Sequence, residues 1–271
     1  MKKMPYVYIA GIKLYYEEFG SGEPIIMLHG WNENGRIFKN QIEFFSQKGY
    51  KVYTLDMRGH GKSSKPRFGY TFYRMVNDVY YFTKKIEINN PIIIAHSMGG
   101  MVAMKYYLKY NNCKSLVLIS SPCIIPIQMS GIIKLGGDYL LKKLRSGLKF
   151  ASEMMLKNLQ KGLEINELND MEQKYKFDYR DFQVPLYVTI SLAINSLSYN
   201  VKYKLKDFNI PVLIIAGEKD DLIPISLFEN MEKEMPNCIL KKFENCGHFS
   251  FIEEPIKTNE IILDFLKSYS G

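Results

Sequence analysis

Cysteine is scarce in this 271-residue chain, and the four present, Cys113, Cys123, Cys238 and Cys246, stand far apart with no C-x-x-C pair. Neither a zinc site nor a disulfide framework is expected, and the thiols are expected to be reduced. The chain also lacks an H-E-x-x-H or any cluster with metal-ligand spacing. Its glycine-rich segment Asp56 to Ser63 does not have the G-x-x-x-x-G-K-[ST] spacing of a phosphate loop, and no nucleotide or flavin fingerprint occurs. No cofactor and no metal are therefore expected. Uninterrupted apolar runs of the length that spans a bilayer are missing, which excludes a transmembrane helix. After Met1-Lys2-Lys3 the sequence is broken by Pro5 and Gly11 where a leader would carry its apolar segment. No secretory leader is expected, and the cytoplasm is the expected address.

What is present suits a folded enzyme-sized chain. Apolar residues make up 46% and charged residues 24%, far from the composition of disorder. The net charge of +8 comes from lysines spread along the chain and not from one basic block. A solvated surface is the expectation, with no nucleic-acid partner and no stable membrane insertion. The length fits one large domain, or a core carrying an inserted lobe.

Short branched apolar runs at Pro24 to Leu28, Val52 to Leu55, Pro91 to Ala95, Leu116 to Ile119 and Pro211 to Ala216 read as strands buried on both faces. Helix-length stretches at Gly35 to Lys48, Phe72 to Ile86 and Met98 to Tyr110 separate the earlier ones. This alternation predicts a mostly parallel sheet flanked by helices. Upstream, Tyr6 to Ile9 and Ile12 to Phe19, joined by Ala10-Gly11, read as an antiparallel hairpin at the sheet edge. Residues 123–208 break the rhythm. There Leu141, Leu144, Leu148, Ala151, Met155 and Leu159 recur at helical spacing with basic residues between them, and the stretch is read as an inserted helical cap lying over the site. The core is then 1–122 with 209–271.

Ala95-His96-Ser97-Met98-Gly99-Gly100 lies between a strand and a helix, the context in which a tight turn lifts a serine out of the sheet. The helix N-terminus adds free amides and partial positive charge suited to a developing oxyanion. With this turn come Leu28-His29-Gly30-Trp31, Asp56 to Ser63, the segment Gly217 to Pro224, and Gly247-His248-Phe249, in that order around it. Taken together these segments resemble the α/β-hydrolase family from about Ile12 onward, outside the insertion. One departure is Ala95, where the family usually has glycine.

A serine hydroxyl needs a neighbouring base at neutral pH, and histidine titrates nearest that range. Ser97 is expected to be the nucleophile and His248 its base. The resemblance implies a carboxylate on the far side of the imidazole, and the glycine-x-x-aspartate pattern from Gly217 favours Asp220 over Asp221. It likewise implies backbone amides of Met98 and Trp31 for the oxyanion. His29 is expected to order its loop, His60 and His96 to take no part in catalysis, and Trp31 and Phe249 to line the acyl pocket. The activity implied is hydrolysis of a small-molecule carboxylic ester through an acyl-enzyme. A lactonase, a carbon-carbon bond hydrolase or a cofactor-free peroxidase-like enzyme would use the same residues, and a non-catalytic ligand receptor is the alternative outside catalysis.

Overall fold

In the computed structural model, residues 5–126 and 184–269 are described. The chain opens with the antiparallel hairpin β1 (Tyr6–Ile9) and β2 (Ile12–Gly20), turning at Ala10-Gly11. Strands β3 (Glu23–Leu28), β4 (Tyr50–Leu55), β5 (Ile92–His96), β6 (Ser115–Ile119), β7 (Val212–Gly217) and β8 (Cys238–Phe243) follow. They form one eight-stranded sheet in the order β1-β2-β4-β3-β5-β6-β7-β8, antiparallel at the β1–β2 and β2–β4 pairs and parallel elsewhere.

The apolar runs read as strands because successive side chains leave the sheet on opposite faces, and both faces are covered. In β5, Ile93 and Ala95 join one core cluster while Ile92 and Ile94 join the other. The first cluster is covered by α2 (Phe72–Lys85) and α3 (Met98–Tyr110), and the second by α1 (Lys39–Gln47) and the C-terminal helix. Gly35–Phe38 forms a 3-10 turn ahead of α1, because the Asn34 side chain accepts the Arg36 amide at 2.9 Å and starts the turn early. Four more α-helices follow among the described residues, α4 (Leu186–Ser196), α5 (Ile225–Glu234), α6 (Ser250–Glu253) and α7 (Pro255–Ser268), with a 3-10 turn at Lys202–Asp207 between the first two.

Strand β8 has no counterpart among the apolar runs of the sequence. It is an edge strand, and Lys241 and Lys242 interrupt its hydrophobic pattern where one side faces water. Of the expected insertion, the helical repeat from Leu141 to Leu159 lies outside the described residues. Its described C-terminal part packs on the core: Val188, Leu192, Tyr199, Leu205 and Phe208 are buried in the first cluster, and Tyr199 donates its hydroxyl hydrogen to the Met101 carbonyl at 3.0 Å. Among the described residues, no helix is long and apolar enough to cross a membrane.

The strand order positions the site. The chain passes from β3 to β4 on one side and then crosses to β5 on the other, so the loops after β3 and β5 open at a switch point, where a crevice forms beyond the strand ends. Leu28 and Ala95 are paired neighbours there.

Candidate active site

Ser97 follows β5 and caps the start of α3 with φ 49° and ψ −116°. A left-handed backbone on a non-glycine residue is costly and persists only where its surroundings hold it. Here the Ser97 amide donates to the Ile119 carbonyl at 2.9 Å, and the Ser97 carbonyl accepts from Gly100 at 3.0 Å. The sharp turn also drives α3 close to β3. A Cβ on Gly99 would lie 2.1 Å from the Leu28 carbonyl oxygen, so no larger residue fits without displacing the helix. Ala95, which stands where the resemblance leads one to expect glycine, is fully buried in β5 and keeps its strand pairing.

The other two expected groups come from loops beyond β7 and β8. His248 Nε2 lies 3.0 Å from Ser97 Oγ, and His248 Nδ1 lies 2.7 Å from Asp220 Oδ2. The second oxygen of Asp220 accepts the amides of Leu222 and Ile223 at 2.8 and 3.0 Å. Burial acts to raise the pKa of this carboxyl, but the His248 hydrogen bond and charge together with the two amides outweigh it, and the group is held below the ordinary aspartate range. Asp221 is exposed on the same turn, and Pro224 occupies the cap position ahead of α5.

Backbone contacts hold the two loops together. Lys219 donates its amide to the Cys246 carbonyl at 2.9 Å, and the Glu253 carboxylate of α6 accepts both the Gly247 and the Phe249 amides, flanking His248. Met98 is the first residue of α3, where backbone amides have no partner within the helix. Trp31 sits in the loop after β3, half-buried against the first core cluster, and its buried indole Nε1 has no hydrogen-bond partner among the described residues.

The remaining histidines lie close by. His29 accepts the Met57 amide on Nε2 at 3.0 Å, which leaves Nδ1–H to donate to the Gly30 carbonyl at 2.8 Å. It therefore orders its loop, as expected, and burial lowers its pKa. His60 packs against it at 4.9 Å between ring centres, and burial drives its pKa down to about 3. Nearby Asp56 is a buried turn anchor, accepting the Gly35 and Lys62 amides at 2.8 Å each. His96 pairs with Glu33, a residue that sequence reasoning passed over; its only local signal is an acidic side chain three positions beyond Gly30. Phe249 packs on the rings of His96 and His248 at 5.1 and 5.5 Å. A surface cleft of about 590 Å³ bordered by Tyr73, Lys105 and Tyr203 lies elsewhere, and none of Ser97, Asp220 or His248 lines it. Residues 127–183 of the expected cap, and whatever part of the acyl pocket they would line, lie outside the described residues.

This arrangement can lower the barrier for attack by an alcohol oxygen on a carbonyl, since a proton acceptor, its orienting carboxylate and a helix N-terminus converge on one hydroxyl. A model of the alpha/beta hydrolase fold matches residues 23–255. The chain is 27% identical to the AB hydrolase superfamily protein YisY of Bacillus subtilis over 95% of this chain and 96% of that protein. It is 26% identical to the non-heme chloroperoxidase CPO-A1 of Kitasatospora aureofaciens, over 94% and 96% of the two chains. Among solved structures, an esterase from Exiguobacterium antarcticum superposes with a TM-score of 0.83 at 26% identity, covering 97% of this chain and 98% of that one.

Proposed function

The chain belongs to the alpha/beta hydrolase fold family, and from that premise we propose that it hydrolyses small carboxylic esters through an acyl-enzyme formed on Ser97. The observation that carries this reading is the hydrogen-bonded row from Ser97 Oγ through the His248 imidazole to Asp220, at 3.0 and 2.7 Å. In the proposed cycle, His248 Nε2 takes the Ser97 proton as Oγ attacks the carbonyl carbon. The Met98 and Trp31 amides receive the oxyanion, and Asp220 holds the ring in the Nδ1–H tautomer and balances its charge. His248 then returns the proton to the leaving alcohol, and a water molecule activated by the same imidazole releases the acid. Residues 123–208 serve as the cap that selects the substrate, and the reaction proceeds without cofactor in the cytoplasm.

A second reading is favoured by the chloroperoxidase relative: hydrogen peroxide in place of water at the acyl-enzyme would release a peracid. Both readings need Ser97, so one experiment tests their common step. A serine-directed organophosphonate should add a single label at Ser97 and abolish turnover of p-nitrophenyl acetate, and Ser97→Ala should be slower by on the order of 10⁴-fold or more. An active Ser97→Ala protein would remove the basis of the proposal. Adding peroxide to the acylating enzyme and assaying for peracid separates the two.

A further inference from the structure

Behind the Ser97–His248–Asp220 row lies a second acid–imidazole pair that the cycle above does not use. Glu33 and His96 are 5% and 0% exposed, and His96 Nδ1 lies 2.9 Å from Glu33 Oε1. Each partner also holds backbone. The Gly30 amide donates to Glu33 Oε2 at 2.6 Å, and His96 Nε2 lies 3.0 Å from the carbonyl oxygen of His248. A carbonyl can only accept, so Nε2 carries a proton, and a further proton is held between Nδ1 and the carboxylate. His96 and Glu33 therefore bridge three segments: the Gly30-Trp31 loop, the residue just before Ser97, and the backbone of His248 itself.

The pair is packed as closely as it is bonded. A Cβ on Gly30 would stand 2.6 Å from Glu33 Oε1 and 2.9 Å from His96 Nδ1, so the pair occupies the space that a side chain would need. On its other side the His96 ring meets His248, Phe249 and Phe251 at 4.9, 5.1 and 4.8 Å. Buried ion pairs are poor sources of stability because both groups lose water, so this one calls for another reason to exist. Its contacts supply one, because they end on the two segments whose relative placement attack at a carbonyl would depend on.

We propose that Glu33 and His96 are positioning residues, which keep the Trp31 amide and the His248 imidazole in register with Ser97 throughout the proton transfers. The inference rests on the serine-hydrolase reading and extends it. Displacements of about 1 Å at such a site are enough to slow a reaction by about 10²-fold, so a link of this kind acts on turnover more than on substrate affinity.

Four variants separate the bonds. His96→Asn keeps a donor near Nδ1 for Glu33 and loses the one for the His248 carbonyl, whereas His96→Gln reaches the Nε2 position and keeps it. Glu33→Gln can donate to Nδ1 and still accept from Gly30, whereas Glu33→Ala does neither. We expect kcat on p-nitrophenyl acetate to fall on the order of 10- to 100-fold in His96→Asn and Glu33→Ala with KM little changed. Glu33→Gln should stay within roughly threefold of wild type, and His96→Gln, which keeps the His248 bond but gives up the one to Glu33, should fall between wild type and His96→Asn. Wild-type turnover in folded His96→Asn, or equal losses in Glu33→Gln and Glu33→Ala, would overturn the proposal. Should the disruptive variants not fold, the unaltered enzyme still decides: hydrogen exchange should be slow at the Gly30 amide and at both His96 ring nitrogens, and fast exchange at these sites would count against the pair. If wild-type Ser97 takes no phosphonate label, the serine-hydrolase reading itself has failed, a result distinct from labelled wild type with unimpaired variants.

Discussion

Asp220 and Asp221 are neighbours of identical chemistry, and only their surroundings separate them. Asp220 meets the imidazole with one oxygen and two backbone amides with the other, while Asp221 faces solvent. Asp220→Asn should therefore lower kcat by on the order of 10⁴-fold, because an amide facing Nδ1 favours the wrong tautomer. Asp221→Asn should stay within about threefold, as expected for an exposed change away from such contacts. Steady-state kinetics of the two proteins check this, and comparable losses in both would remove Asp220 from its assigned position. At this scale Ser97, His248 and Asp220 were legible in the sequence because each sits beside a strand or turn signal that announces it. Glu33 and His96 were not, since a buried pair is created by packing between segments 63 positions apart and leaves no local pattern.

Helix α3 carries the site through its closeness to β3. The contact at Gly99 leaves no room for a methyl group against the Leu28 carbonyl, so Gly99→Ala has to shift α3 away from the sheet. Overpacking of this kind costs about 1–3 kcal/mol. We expect a lower denaturation midpoint together with slower phosphonate labelling of Ser97, because the same shift moves the Met98 amide. Unchanged stability with an unchanged labelling rate would show that the helix has slack which this geometry does not allow. Element by element, the doubly buried strands were legible from continuous apolar runs, and β5 and α3 fell within a residue of expectation. Strand β8 was not, because an edge strand exposes one side to water and its lysines read as surface. The 3-10 turn before α1 also escaped, being set by a side-chain cap and not by periodicity.

All four histidines of the molecule gather around the crevice, where the fold keeps two of them, His29 and His60, below their ordinary pKa by burial. The consequence for stability has a definite sign. In the unfolded chain His60 binds a proton below about pH 6.5, but in the folded one it stays neutral to about pH 3. The unfolded state then holds more protons through that window, so stability is intact above pH 6.5 and declines as the pH falls. Chemical denaturation across this range should give a slope for wild type steeper than for His60→Gln by about 1.4 kcal/mol per pH unit. Equal slopes would mean that His60 is protonated in the folded protein.

What the sequence determined by itself was the succession of the doubly buried strands and their helices, together with the serine, the histidine and the acidic turn after Gly217 from which the row is built. Period-two burial, tight turns and the reactivity of serine, histidine and carboxylate are local properties that residue type and spacing express directly. Only the tertiary structure decided which aspartate turns inward, that Glu33 and His96 join the Trp31 loop to His248, and that β8 closes the sheet. Those outcomes depend on distances between residues far apart in the chain, which are set when the sheet assembles and both of its faces are buried.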